Sequence, residues 1–439
     1  MHVSSIVLSG ALAAGVSAQN YLGFNSGATL ADRSAKFKED YLAEFRTAQN
    51  LRGAPGKFNA VRLYTNIQAY SESDPISAFE AAIETDTSIL LGVWASGTNN
   101  IDNEIAALRA AIDQYGSDFT DLVIGISIGS EDLYRVSETG VINESGVGAG
   151  PDVLVRFIEE YREAFADTPL ADVPVGHVDT WDVWGNSSNR AVIEAVDFIG
   201  VDEYPYYEND KGNDISNSGQ LFDRAYQATL DAAGGKPVWV TETGWPTSGP
   251  DWDEAEASIR NAKYYWNEVG CRRLFNQVPT FWYNLRDSNP DNEMKFAITE
   301  NLSTTPMFNL TCPTTFQTPD ADEEEEDDED VRPSGSATTT VASTTTAAPT
   351  TSSTSGSGSG SGSGSDEDDS DSDSDSGSGS GSESGSGSGS GTTPGAPSPT
   401  NSGSSEEVTP PASGAMSGKM LSTMTYGGLA LVAGVFALM

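Results

Sequence analysis

Three segments place acids directly behind apolar, β-rich runs: Gly129-Ser130-Glu131-Asp132, Asp202-Glu203-Tyr204-Pro205 and Thr241-Glu242-Thr243-Gly244. Carboxylates are also the reactive groups that this chain holds in quantity, with 65 Asp and Glu against 2 His and 2 Cys. His2 falls in a signal-like leader, which leaves His177 as the one His of the mature chain. A multi-His metal centre is thereby excluded, and a Ser-His-Asp triad would have to use His177. Paired carboxylates can act as general acid, general base or nucleophile. Placed on either side of a sugar linkage they cleave it, with retention at about 5–5.5 Å separation and inversion at about 6.5–9.5 Å.

Such a pair needs a scaffold that brings distant strand ends together. Short apolar runs at 21–24, 60–64, 89–94, 122–128, 173–178, 198–201, 238–241 and 280–284 alternate with helical patterns. The helical patterns include 35–49, 103–115, 151–165, 218–233 and 253–269. Ser34 and the Asp74-Pro75 pair read as helix starts. SILLGVW and LVIGISI lack alternation, as strands of a parallel sheet covered on both faces do. Eight such units over 19–318 predict an α/β fold, a (β/α)8 TIM barrel. The competing open sheet would carry a Gly-rich phosphate loop after its first strand, and GFNSG is not one. In a barrel the reactive residues sit where strands end, so Glu131 after the fourth and Glu242 after the seventh would face each other across the mouth.

The segment VWVTETGWPTSG (238–249) resembles the nucleophile signature of glycoside hydrolase family 17, the β-1,3-glucanases of plants and fungi. NAVRLY (59–64), GSEDLYR (129–135) and VDEYPYY (201–207) are similar to its second-, fourth- and sixth-strand motifs, in the same order. The resemblance spans 19–312. It implies Glu242 as nucleophile and Glu131 as proton donor and base. Ser130 stands where the family often has Asn, a shorter group still within reach of a sugar 2-hydroxyl. Tyr64 would donate to Glu242. Tyr204, Tyr206, Trp245 and Trp282 at strand ends would stack on glucose rings, and Glu293 with Lys295 loosely resembles an acid/base-pair cluster beside the nucleophile. His177 reads as a hydrogen-bonded barrel residue without a catalytic role. The implied activity is retaining endo-β-1,3-glucan hydrolysis in cell-wall remodelling, with no metal or cofactor, by a monomer. A β-1,3-glucanosyltransferase shares the first half of that reaction. A non-catalytic glucan-binding wall protein would need a defective carboxylate, and both are present.

The rest of the chain reads as delivery. Residues 1–18 read as a secretory signal ending at Val16-Ser17-Ala18. Residues 319–413 form an acidic Ser/Thr/Gly-rich stalk, expected to be disordered since it lacks aromatic residues. Ser413-Gly414-Ala415, a short spacer and the apolar run 426–439 have the form of a glycosylphosphatidylinositol signal, with Ser413 as attachment site and 414–439 removed. The expected location is the cell surface, by lipid anchorage to the plasma membrane or in the wall. Asn143, Asn186, Asn301 and Asn309 are N-glycosylation sequons, and Cys271 and Cys312 are expected to pair. The formal net charge is −42, and residues 1–318 alone carry 45 acids against 21 bases. A field of that sign repels phosphates, so no nucleic-acid partner is expected.

Overall fold

The computed structural model describes residues 20–316. The signal, the stalk, Ser413 and the anchor signal lie outside the described residues. Eight parallel strands close into a barrel in sequence order. They are β1 (Leu22–Ser26), β2 (Ala60–Leu63), β3 (Ser88–Val93), β4 (Val123–Ser130), β5 (Val175–Thr180), β6 (Phe198–Asp202), β7 (Val238–Glu242) and β8 (Thr280–Trp282). β1 pairs with β2 through Gly23 opposite Ala60 and closes the ring on β8 through Gly23 opposite Phe281. Each apolar run of the sequence overlaps one of these strands, and most of the strands extend one or two residues past the end of the run.

The barrel interior changes character along its axis. Its N-terminal end is a packed floor of Ala60, Leu90, Phe198, Trp239 and Phe281, joined by Tyr21 and Ile124. Phe198 and Trp239 stack there at 4.3 Å between ring centroids. Gly176 makes the room, since a Cβ at that position would lie 2.5 Å from the Phe198 ring. A second, larger apolar cluster joins the outer strand faces to the surrounding helices. Towards the C-terminal end the lining becomes polar, with Asn25, Arg62, Ser130, Asp202 and Glu242 all buried. Burying that much charge costs free energy unless every group is paired, so the polar end is where the fold commits its stability to a site.

Helix Pro151–Phe165 shows why the pattern predicts well: Pro151 opens it, and Leu154, Phe157, Ile158, Tyr161 and Phe165 form its buried face. Helix starts were less legible. Ser34 bonds to Asp32 at 2.5 Å instead of capping, and the helix begins at Lys38. Pro75 is held in a bridge to Ile67, and its helix begins at Ala78. The segment expected to be helical from 253 starts at Ile259, because Trp252 and Ala255 pair in a turn and the Ser258 hydroxyl caps Asn261. It runs on as a π-helical stretch, Trp266–Leu274. Cys271 in that stretch is disulfide-bonded to Cys312, tying the last described segment to the barrel.

Candidate active site

β7 ends on Glu242, and β6 presents Asp202 directly opposite it in register. The Glu242 side chain is fully buried, yet three donors converge on it. Tyr64 OH lies 2.7 Å from Oε1, Tyr204 OH lies 2.7 Å from Oε2, and Arg62 Nη1 donates to Oε1. An ionised carboxylate oxygen can accept about two hydrogen bonds. Oε1 therefore has both lone pairs engaged, while Oε2 keeps one for chemistry. Burial pushes both phenols well above the ordinary tyrosine pKa, and the Glu242 charge adds to the effect. They remain donors throughout the working pH range.

Arg62 comes from the middle of β2, where strand alternation turns it inward with Tyr64. It reaches Asn25 Oδ1 at 3.0 Å and Ser130 Oγ at 2.9 Å as well as Glu242. Asp202 Oδ2 lies 4.0 Å from Arg62 Nη2 and has no hydrogen-bond partner, while Thr241 donates to Oδ1 at 2.6 Å. Burial drives the Asp202 carboxyl up to about 8, against the pull of Arg62 and with the push of Glu242. One guanidinium faces two carboxylates, and low polarity leaves the excess charge on neither.

Glu131 follows β4 in the left-handed region, φ 55°, an uncommon conformation for a non-glycine residue. Its amide donates to Val178 O at 2.9 Å, and its carboxylate Oε2 pairs with Arg135 Nη2 at 3.2 Å. Oε1 is buried without a hydrogen-bond partner. Burial raises the Glu131 carboxyl well above the ordinary range; Arg135 opposes this, and the charges of Glu242, Asp202 and Asp179 add to it. Asp132 beside it points elsewhere, accepting from Ser130 N at 2.9 Å and Ser96 Oγ at 2.6 Å. The site thus sets Glu242, on which three donors converge, against Glu131, whose carboxyl has one unpartnered oxygen and is pushed up by burial, the two joined through Arg62 and Ser130. Environments that separate two carboxylates in this way divide the acid and nucleophile roles between them.

The structure brings Tyr64, Ser130 and Tyr204 to this network but corrects the reading of other residues. Tyr204 serves as a donor to Glu242 rather than a sugar platform. Tyr206, Trp245 and Trp282 are buried and are not platforms. Tyr206 donates to Pro250 O, Trp245 Nε1 donates to Glu256 O at 2.9 Å, and Trp282 packs 4.9 Å from the Trp266 ring. Their apolar area is spent holding the loops behind the site. Glu293 is exposed, in a segment whose neighbour Lys295 bridges to Ser248 and turns its ammonium to Asn292 O. That arrangement leaves Glu293 on the surface. Of the sequons, Asn186, Asn301 and Asn309 are exposed, whereas Asn143 is half-buried and donates to Tyr134 OH at 2.9 Å.

Sequence reasoning quoted Arg62, Arg135 and Asp202 within motifs without assigning them roles. The available signal was a charge inside an apolar strand, which must find a partner or remain unfolded. Among the described residues no group of three or more His, Cys, Asp and Glu is arranged to hold a metal ion.

Residues 23–301 match the model of the BtgE/BtgC glycoside hydrolase domain. The chain is 53% identical over 294 residues to a probable glucan endo-1,3-beta-glucosidase, eglC, of Aspergillus niger, covering 66% of this chain and 63% of that protein. It is 31% identical over 278 residues to a glucan 1,3-beta-glucosidase of Schizosaccharomyces pombe, covering 61% and 78%. It therefore spans a little under two thirds of the length of the Aspergillus niger relative. In fold it is similar to an active-site mutant of a Rhizomucor miehei beta-1,3-glucanosyltransferase in complex with laminaritriose, with TM-score 0.52, 22% identity, and 66% and 97% of the two chains covered.

Proposed function

The chain belongs to the BtgE/BtgC glycoside hydrolase domain family, and from that premise we propose that it is a retaining endo-β-1,3-glucanase working on cell-wall glucan by double displacement. The observation that carries this reading is the contrast between two buried carboxylates: three donors converge on Glu242, whereas Glu131 has one oxygen without a partner and a carboxyl pushed up by burial.

In the first step Glu242 Oε2 attacks the anomeric carbon with its remaining lone pair. Glu131 delivers its proton to the departing glycosidic oxygen, which leaves as a neutral hydroxyl. The product is a glycosyl ester whose carbonyl oxygen, Oε1, keeps its bonds to Arg62 and Tyr64. Esterification removes the Glu242 charge and with it one of the influences that keep Glu131 protonated. Arg135 then favours the ionised form, and Glu131 accepts a proton from the incoming water. Water attacks the same carbon, the ester bond breaks, and Glu242 recovers its charge against the three donors. Two inversions give net retention. Burial is the largest cause of the raised Glu131 pKa, so the swing between acid and base is a modulation of a carboxyl already biased towards the acid form.

The wider setting belongs to the same proposal. The signal-like leader, the acidic stalk and the small-residue triplet at Ser413 support secretion, followed by lipid anchorage at the cell surface within reach of wall glucan. The partner is β-1,3-glucan, and the enzyme works as a monomer. Time-resolved sizing of the products from linear β-1,3-glucan tests the activity. Internal cleavage to progressively shorter oligosaccharides is expected. Products longer than the starting oligosaccharides would replace the hydrolase reading with a glucanosyltransferase, and an unchanged polymer would refute both. Release of the protein from membranes by an anchor-specific phospholipase tests the attachment.

A further inference from the structure

His177 lies in the middle of β5, fully buried. Both of its ring nitrogens face acceptors: Nδ1 lies 2.6 Å from Ile128 O, and Nε2 lies 2.9 Å from Asp179 Oδ2. A neutral imidazole has a single N–H and would leave one of those acceptors against a bare lone pair. Only the imidazolium satisfies both. Trp184 closes the ring off edge-on at 5.7 Å between centroids. The titratable groups facing the ring are Asp179 on its own strand and Asp132 in the turn after β4. Burial works against the charged ring, but both groups are carboxylic and, with the Ile128 carbonyl, they outweigh it, so the surroundings favour the imidazolium.

Asp179 is the other half of the pair. Besides His177 it accepts from Leu133 N at 2.8 Å, Tyr134 N at 3.2 Å and Thr180 N at 2.9 Å. Leu133 and Tyr134 belong to the single turn Asp132–Arg135 that follows Glu131 directly. Arg135 at the end of that turn holds Glu131 Oε2, Ser96 Oγ and Ser130 O. A carboxylate locked by an ion pair behind the barrel wall thus fixes the backbone that aims both the acid/base glutamate and its arginine.

We propose that His177 is a positioning residue whose imidazolium fixes Asp179, and through it the turn that presents Glu131 and Arg135 to the substrate. The reaction needs Glu131 only where the leaving group must be protonated or water deprotonated. Loss of the anchor therefore impairs those events and spares a first step with an activated leaving group.

This inference rests on the glucanase reading for its kinetic test, while its spectroscopic test does not. In the full secreted protein with 15N-labelled histidine, His177 is expected to be almost wholly doubly protonated at pH 6.5, where an ordinary histidine is half protonated. A ring that is half neutral or more at that pH overturns the proposal whether or not any variant folds. In H177Q, kcat/KM on linear β-1,3-glucan is expected to fall about 10- to 100-fold, the scale of a misaimed catalytic group, with less than about a 3-fold change on a dinitrophenyl β-laminaribioside. Equal losses on both substrates, or none on glucan, overturn it. A wild-type protein inert on both substrates defeats the glucanase reading instead, and leaves the histidine signal to decide the ion pair.

Discussion

Replacing Tyr204 with phenylalanine removes one oxygen and leaves the packing intact. The ring sits edge-on to Tyr207, Tyr283 and Phe296 at 6.1, 5.9 and 5.6 Å between centroids, and phenylalanine keeps all three contacts. What is lost is a 2.7 Å bond to Glu242 Oε2. That oxygen has no other donor, so no neighbour compensates. A hydrogen bond to a charged group contributes about 1.5–3 kcal/mol, and each 1.36 kcal/mol is tenfold in rate. The charge on Oε2 vanishes as the glycosyl ester forms and returns as it breaks. The bond is thus made in the second transition state but not to the ester's charge-free oxygen, so its loss should fall on breakdown of the intermediate. Tyr204→Phe is expected to lower the hydrolysis rate of the glycosyl-enzyme by about 10- to 150-fold. The assay is rapid-quench kinetics with a dinitrophenyl laminari-oligosaccharide, followed by intact mass spectrometry of the enzyme. A burst followed by slow turnover, with one glycosyl unit attached to the protein, is the expected result. A change below about 3-fold in breakdown, or an effect confined to KM, would refute the assignment of Oε2 as the attacking atom.

Glu242→Ala should lose hydrolysis and recover part of it with azide as an α-glycosyl azide, while Glu131→Ala with azide should give a β-product from activated substrates; the reverse pattern, read by NMR of the products, would exchange the two roles. Glu104, a buried residue of the helix Asp102–Tyr115 that accepts from Asn66 N at 2.8 Å, is lifted by burial to about 7, and Asp202 to about 8, in the folded chain. Carboxyls raised on folding stabilise most fully below their unfolded values near 4, and this stability is lost as pH rises through 7 and 8. The thermal midpoint should therefore fall between pH 5 and 9 and fall less in Glu104→Gln; a rising midpoint would contradict this. Opening the Cys271–Cys312 bridge, with 41 residues of sequence separation, should cost about 4 kcal/mol by loop entropy. Spread over the unfolding entropy of a domain of about 300 residues, this lowers the midpoint by roughly 6 °C in paired melts with and without reductant.

The fold was legible because a parallel barrel writes each strand as an unbroken apolar run. Short runs separated by helical patterns place the strand ends to within a few residues. The carboxylates were legible for the same reason, since Glu131 and Glu242 end such runs. Helix starts were not, because local bonds such as Ser34 to Asp32 compete with capping and leave the same residue types in the sequence. The aromatic residues misled for a related reason. Position at a strand end does not say whether a ring faces the cleft or the layer behind it, and Tyr206, Trp245 and Trp282 face the layer behind. Arg62 and Asp179 needed the third dimension altogether. Their roles come from partners on other strands, Glu242 for one and the Leu133 and Tyr134 amides for the other.

The central claim is a covalent double displacement at Glu242, assisted by Glu131, and the configuration of the first product tests it most directly. Proton NMR recorded within the first minutes of hydrolysis of linear β-1,3-oligosaccharides, before mutarotation mixes the anomers, should show newly formed reducing ends in the β configuration. Predominance of the α-anomer in those spectra would mean direct attack by water, and would contradict the nucleophile assignment together with the mechanism built on it.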